Sequence, residues 1–414
     1  MAIVKPFNAI RPTPSLAHKV ASLPYDVMNT IEAKEMAKDN PFSFLHVSRA
    51  EIDLVENTDV HSPEVYQKAR QNFDSLIADN VLVQDFTPCY YVYTLTMHGR
   101  VQNGLVACSS IDDYFNNVIK KHEYTRPEKE LDRIEHMRAV EAHVGPIFLT
   151  YPSHKRIDNL ILVAKTHPAI YDFVAEDDIR HQVWVIENSE IVVEIENIFN
   201  SEVTATYIAD GHHRTASAAK VGMELRSLYD NTTDPYNYFL CVLFASHELA
   251  IMDYNRLIKD LNGKSVTDFL TALSAMFDIE KVSLADAKPS MANQFGMYID
   301  GAWYLLIAKT SILKTDPIGV LDVSLLQDNV LSPLLNIQDP RTSDRIDFVG
   351  GIRGLSGLQK RVDSGEMAVA FALYPVSIEQ LITISDSGNV MPPKSTWFEP
   401  KLRDGLFSHL FKNP

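Results

Sequence analysis

The densest concentration of chemistry-bearing side chains in the sequence is Ala209-Asp-Gly-His-His-Arg-Thr215. A β-branched, aromatic run precedes it and an Ala-rich run follows, so the turn joins a strand to a helix. There the backbone N–H groups point outward at the positive end of a helix dipole, a favourable place for an anion. Gly211 permits close approach of the backbone to an oxyanion. His212, His213 and Thr215 add donors, and Arg214 can clamp a phosphate in bidentate fashion. Asp210 could orient a histidine or hold Mg²⁺ through its oxygens. The plainer alternative is that Asp210 caps the helix and the histidines bond locally; phosphate binding is the preferred reading.

A second cluster is Lys120-Lys-His-Glu-Tyr-Thr-Arg-Pro-Glu-Lys-Glu-Leu-Asp-Arg133. His122 and Glu123 could supply a general base, and Thr125, Arg126, Lys129 and Arg133 could grip an anion. Taken alone, such a charge run reads as a solvated helix face. A zinc reading fails because H-E-x-x-H needs a second histidine where Arg126 stands. Lys394 and Ser395, with Lys401, could donate to an anion from late in the chain, as could Arg341, Arg345 and Arg353. Pro24-Tyr-Asp-Val27 reads as a turn with one carboxylate. Familiar nucleotide and hydrolase motifs are missing: Gly263-Lys-Ser265 would need a glycine at Ile258 to end a Walker A loop, and there is no G-x-S-x-G elbow and no kinase H-R-D.

These residues must be positioned by a mixture of helices and strands. Pro63 opens a helix whose Val65, Tyr66, Ala69, Phe73, Leu76 and Ile77 repeat at helical spacing. Tyr90–Thr96 and Val101–Ser109 are expected to pair around His98-Gly99-Arg100. The charged stretch becomes helical after Pro127. Further on, Gln182–Ile186 is expected as a strand, 191–199 as a helix, Thr204–Ala209 as a strand, Thr215–Val221 as a helix and Tyr238–Phe244 as a strand. Past 255 come a helix from Val266, a hairpin about Asp300-Gly301, helices near 321–335, 354–364 and 378–387, and a strand at Met367–Leu373. The class is α+β, a mixed α/β chain, with a nucleotide-binding region expected over 1–250 and an α+β region over 251–414.

Composition narrows the partners. The 414 residues carry 38 Lys and Arg against 54 Asp and Glu, a formal charge of −16. That balance repels phosphate backbones unless a local basic patch overrides it, so nucleic acid is disfavoured as a main partner. No apolar run approaches the roughly 20 residues of a membrane span. Cys89, Cys108 and Cys241 cannot build a disulfide framework and read as buried thiols. The N-terminal residues lack a secretory layout, and a reducing cytoplasm is the expected location. The sequence is compatible with a homodimer without specifying one.

Several blocks occur together in a fixed order: Pro24-Tyr-Asp-Val27, Asn40-Pro-Phe-Ser-Phe-Leu-His-Val47, His122-Glu123 with Thr125, Asp210-Gly-His-His-Arg214, and Tyr254-Asn-Arg256. They are followed by Asp339-Pro-Arg-Thr342, Arg345-Ile-Asp-Phe-Val-Gly-Gly351, Phe371-Ala-Leu-Tyr-Pro375 and Met391-Pro-Pro-Lys-Ser-Thr-Trp-Phe-Glu-Pro-Lys401. On these blocks the chain resembles the bacterial family catalogued as domain of unknown function 1015, over nearly its whole length. The Asp-Gly-His-His-Arg block also resembles the nucleotide-binding turn of the ParB and sulfiredoxin superfamily, which includes kinases of free serine. The resemblance implies a ParB/sulfiredoxin-like core, ATP or ADP with Mg²⁺ as cofactors, and a small hydroxyl acceptor, L-serine first. By it, Gly211, His212, His213 and Arg214 would hold phosphates, Asp210 would assist the metal, and Glu123 would deprotonate the acceptor. Where sulfiredoxin carries its catalytic cysteine this chain has His212, which disfavours sulfinic-acid reduction. The competing readings are a regulatory nucleotide binder without turnover and a ParB-like nucleic-acid-associated protein.

Overall fold

The computed structural model describes residues 1–412. The chain forms two compact units: Met1–Leu249 together with the segment from Pro400 onward, and Ala250–Glu399. Among the described residues no helix is long and apolar enough to cross a membrane, and all three cysteines are buried free thiols.

The first unit is built on a nine-stranded mixed sheet. In chain order its strands are β1 (Val4–Lys5), β2 (Tyr90–Met97), β3 (Arg100–Ser110), β4 (Ile119–Lys120), β5 (Ile147–Tyr151), β6 (Tyr171–Val174), β7 (Arg180–Ile186), β8 (Thr206–Asp210) and β9 (Tyr238–Ala245). They lie in the order β4-β8-β5-β9-β3-β2-β7-β6, and β1 pairs with β3. β2 and β3 form the expected hairpin, with His98 and Gly99 both at positive φ in its turn. The core is formed by Val92, Leu105, Ile147, Leu149, Ile208 and Leu243 of the sheet against Ile195, Ile198, Phe199, Ala218 and Ala219. Its helices include α1 (Pro63–Ala78), α2 (Pro127–Val140), α3 (Lys155–Ala164), α4 (Ser189–Glu202) and α5 (His212–Tyr229). In α5 the small residues Ala216, Ser217, Ala218 and Ala219 are all buried, which lets the helix lie close on the sheet.

The last residues thread back through this unit. Asp404 exchanges backbone hydrogen bonds with Ser22, Ser408 does so with Ile10, and His409 pairs with His143. Leu406, Phe407 and Phe411 are buried there. Nothing in the local sequence announces this return.

The second unit carries a six-stranded antiparallel sheet of β10 (Tyr254–Ile258), β11 (Phe277–Val282), β12 (Gln294–Ile299), β13 (Ala302–Ala308), β14 (Ile346–Gly350) and β15 (Val369–Leu373). Their order is β11-β13-β12-β15-β10-β14. Helices α6 (Val266–Ser274), α7 (Gly354–Asp363) and α8 (Ile378–Asp386) follow the expected periodicity. The helix expected over 321–335 is shorter: Asp322–Leu326 is α-helical, Gln327–Leu331 widens into a π turn, and regular structure ends before Pro333. A proline restrains the residue before it and cannot donate to the preceding turn, which explains the stop.

Candidate functional site

The two clusters singled out in the sequence are brought together by one pairing. β4 runs parallel to β8, with Ile119 opposite Thr206 and Lys120 opposite Tyr207. Parallel neighbours place their C-terminal ends side by side, so the chain after Lys120 and the chain after Tyr207 emerge at the same edge. The β8–β5 register slips between Ile208 and Asp210, a bulge that re-aims the strand end just before the turn. The outcome is that Glu123 Oε2 lies 3.8 Å from His212 Nδ1, and the rings of His122 and His212 meet edge to face at 4.4 Å.

The turn itself is tight. Gly211 has φ 94°, a conformation glycine adopts without strain, and starts α5. Arg214 folds back beneath it: a Cβ at residue 211 would come within 3.1 Å of Arg214 Nε. The N–H groups of His212, His213 and Arg214 begin the helix and have no acceptor within it. Arg214 is buried, its Nη1 donates to Pro146 O at 2.7 Å, and its Nε has no protein acceptor. Burial opposes its charge, but Asp26, Asp210, Asp404 and Tyr25 outweigh burial and hold the guanidinium firmly protonated.

Other polar atoms beside the turn are equally without protein partners. His212 Nε2 is one; burial and the neighbouring His122 keep that ring neutral, well below the usual imidazole range. Asp404 Oδ1 is another, beside Gly145, the residue before Arg214's carbonyl acceptor. Burial pushes the Asp404 carboxyl up to about 7, against the pull of Arg214. His122 is driven down to about 4 by burial, so it is a neutral ring and a weak base.

Asp210 accepts from Lys401 Nζ at 3.0 Å and from Gly211 N at 2.9 Å. Burial would raise its pKa, but Lys401 and Arg214 hold it well below the usual carboxylate range. This bears on the Mg²⁺ role expected of Asp210. Mg²⁺ needs several oxygen ligands, whereas this carboxylate already serves an ammonium and an amide. Among the described residues no group of three or more His, Cys, Asp or Glu is placed to hold a metal. The donor set does not suit a protein-held divalent ion.

The remaining expected contacts divide. Thr215 is fully buried and its hydroxyl donates to Gly211 O at 2.9 Å, a bond within the first turn of α5. His213 Nε2 accepts from the Arg126 backbone N–H at 3.0 Å, tying the two loops together. Thr125 donates to Glu130, which also takes Lys220. Arg126 is exposed, 3.4 Å from Glu128, and Lys129 is exposed. Arg133 is buried, bound to Asp132 at 2.6 Å and lying 3.9 Å over the Tyr25 ring. The charge run is therefore more than a solvated face, because Glu130, Asp132, Arg133 and His136 all turn inward. Lys394 and Ser395 belong to the second unit; Lys394 is exposed, and Ser395 donates to Pro392 O at 2.6 Å. Asp26 and Asp404, which act electrostatically on Arg214, were not among the expected site residues. The available signal for Asp26 was its place in the Pro24-Tyr-Asp-Val27 block; Leu402-Arg-Asp-Gly405 offered none.

The profile of the family described as "Protein of unknown function (DUF1015)" matches residues 4–324, well over half of the chain. The chain belongs to the DUF1015 family. The blocks of this DUF1015 protein from Asp339 to Lys401 lie beyond the matched range. No curated protein matches it significantly. Among solved structures it is similar to a free serine kinase mutant in complex with AMP, at 12% identity over 75% of this chain and 92% of that one, TM-score 0.39. It is also similar to a conserved hypothetical protein from Pyrococcus furiosus, at 13% identity over 75% and 97%, TM-score 0.36. A third is C-terminally truncated SbnI from Staphylococcus aureus, at 12% identity over 74% and 87%, TM-score 0.38.

Proposed function

We propose that the first unit is a nucleotide-dependent small-molecule kinase with a ParB/sulfiredoxin-like core, acting on a hydroxyl acceptor for which free L-serine is the first choice. The observation that carries this is the turn at Gly211: open helix N–H groups stand above a buried Arg214 whose Nε has no protein acceptor. A buried guanidinium donor without an acceptor costs free energy, and a phosphate oxygen would satisfy it. Phosphoryl transfer asks the protein mainly for positioned donors and a base. In the proposed step the acceptor hydroxyl attacks the terminal phosphorus of ATP or ADP. The new O–P bond forms as the bridging P–O bond breaks, the shortened nucleotide leaves, and the hydroxyl proton passes to a carboxylate. Glu123, near His212, is the first candidate for that base; Asp26, near Arg214 and His213, is the second. Arg214 would neutralise charge on the phosphates, with Lys401 holding Asp210 away from them. Any Mg²⁺ would arrive on the nucleotide as part of the substrate. A reducing cytoplasm suits the three free thiols.

One observation favours a second reading, a nucleotide-binding regulator without turnover: the Lys401–Asp210 ion pair occupies the carboxylate that the kinase analogy gives to the metal. A DNA-binding role is disfavoured by the −16 charge. Calorimetry with ATP, ADP and AMP, with and without Mg²⁺, followed by phosphorus NMR after adding L-serine, separates the readings. Binding plus a new phosphomonoester supports the kinase. Binding without product from serine or other hydroxyl compounds supports the regulator, and absence of nucleotide binding rejects both.

A further inference from the structure

Three short runs, Tyr254–Arg256, Phe348–Gly350 and Met391–Trp397, meet in the second unit around Arg256. β10 carries it and pairs with β14, setting Arg256 opposite Phe348 and Tyr254 opposite Gly350. The preceding Ile251-Met252 pairs with Trp397-Phe398, which draws in the Met391–Trp397 block. At Gly350 a Cβ would lie 2.4 Å from the Trp397 ring, so the indole packs directly on the strand backbone.

Arg256 is only 4% exposed. Its Nη1 donates to Tyr254 O at 2.5 Å and its Nη2 to Pro393 O at 3.3 Å. Its Cζ stands 4.9 Å from the Phe348 ring centre and 5.8 Å from that of Tyr254. No carboxylate of the described residues pairs with it. Lys394, exposed at φ 58°, places its Nζ 5.7 Å from the same Tyr254 ring and likewise has no carboxylate partner. Phe348 and Trp397 are half-buried, and both rings lie against Tyr254.

Buried charges are ordinarily paired, because an isolated ion in a low-dielectric interior is costly. Carbonyl hydrogen bonds and ring faces offset part of that cost without neutralising the charge. Burial accordingly lowers the Arg256 pKa to about 10. Two cations without carboxylate partners, beside the half-buried Phe348 ring, complement an anion that carries a flat apolar group.

We propose that the second unit holds a binding site for the oxyanion group, phosphate or carboxylate, of a small aryl-bearing ligand, with Arg256 as its anchor, Lys394 at its rim and Phe348 and Trp397 as its wall. The site is independent of the nucleotide reading of the first unit. The test titrates the full chain with phenyl phosphate, benzoate and inorganic phosphate, following tryptophan fluorescence and heat. Saturable quenching that vanishes in Trp397→Phe is expected, and its persistence in Arg214→Lys separates it from a phosphate settling in the first unit. The stronger of phenyl phosphate and benzoate names the oxyanion. Arg256→Gln should weaken binding about tenfold or more, and Lys394→Ala about threefold, in line with loss of a charged hydrogen bond and of an exposed charge. Lys394 is exposed, so its variant remains informative if the Arg256 variant fails to fold. No Trp397-dependent signal from any probe, or unchanged affinity in Lys394→Ala together with a folded Arg256→Gln, overturns the proposal.

Discussion

Arg214 and Arg256 are similarly buried, 7% and 4% exposed, yet their surroundings treat the charge in opposite senses. Around Arg214 the first unit gathers Asp26, Asp210 and Asp404, and the guanidinium is held more firmly protonated than in water. Around Arg256 the second unit supplies carbonyls and rings but no carboxylate, and its pKa falls to about 10. A buried arginine can therefore be balanced by its own protein or left to be balanced from outside. The first arrangement would keep the proposed phosphate site pre-organised; the second would leave the unit's charge to be balanced by the proposed ligand.

The largest way to break this contrast is to cut the chain after Glu399. That removes Lys401 and Asp404 from the charge balance around Arg214, along with buried Leu406, Phe407 and Phe411, while the partners of Arg256 all remain. Each lost core side chain is worth about 2–5 kcal/mol, against a typical whole-protein stability of about 5–15 kcal/mol. Hydrogen exchange should show the first unit unprotected and the second unit's sheet still protected. Protection retained in both would mean that the tail is an accessory.

A smaller effect separates the arginines directly. Arg214→Met strips the cation from among three carboxylates and should cost about 3–5 kcal/mol, the usual result of leaving buried charge uncompensated. Arg256→Met removes a charge that no carboxylate balances, and should cost about 1 kcal/mol for lost carbonyl bonds and ring contacts. Denaturant midpoints of the two variants test the ordering, and equal losses would erase the distinction.

Asp404 sharpens the contrast through pH. Its folded pKa of about 7 lies above the ordinary value of 3.8, so the folded chain binds more protons between those values. Its contribution to stability is complete below about pH 4 and is lost as the pH rises through about 7. Asp404→Asn should flatten that part of the profile and raise the thermal midpoint relative to the parent at pH 8. Asp322 of the second unit, raised to about 7 by burial, has the same sense in both proteins, so the difference between them reports Asp404 alone. A parallel pair of profiles would refute the assignment.

The smallest expected structural effect falls on the two candidate bases. Glu123→Gln and Asp26→Asn should each leave folding within about 0.5 kcal/mol, as expected for accessible side chains. Whichever is the base should lose phosphoryl product by about a hundredfold or more while nucleotide affinity stays. Product formation unchanged in both variants would remove carboxylate catalysis from the proposal.

Much of this was legible in the sequence. The Asp210–Thr215 turn declared itself because a strand pattern, a glycine and an Ala-rich helix adjoin within a few residues, and local propensity sets all three. The helices from Pro63 and Pro127 and the hairpins about Gly99 and Gly301 follow from equally local rules. The juxtaposition of Glu123 with His212 was not legible, because it depends on a two-residue parallel pairing between segments far apart in the chain. Nor was Asp404, whose Leu402-Arg-Asp-Gly405 setting resembles any polar turn until the tail is seen crossing Ser22 and Gly145. The inward face of α2 was hidden for a related reason. Charged side chains read as solvated unless their partners, here Tyr25, Tyr66 and Lys220, are known.

The return of the tail has a consequence in time. In order of synthesis Lys401 and Asp404 follow the whole of the second unit, about 150 residues after Leu249. At about 5–20 residues per second, that interval is about 8–30 s. For that period Arg214, Asp26 and Asp210 exist without the two residues that complete their charge balance, and the buried places of Leu406, Phe407 and Phe411 are unfilled. A chain interrupted anywhere in the second unit never completes its first unit. The order of translation thus makes the finished charge balance around Arg214 a record that everything before it was made.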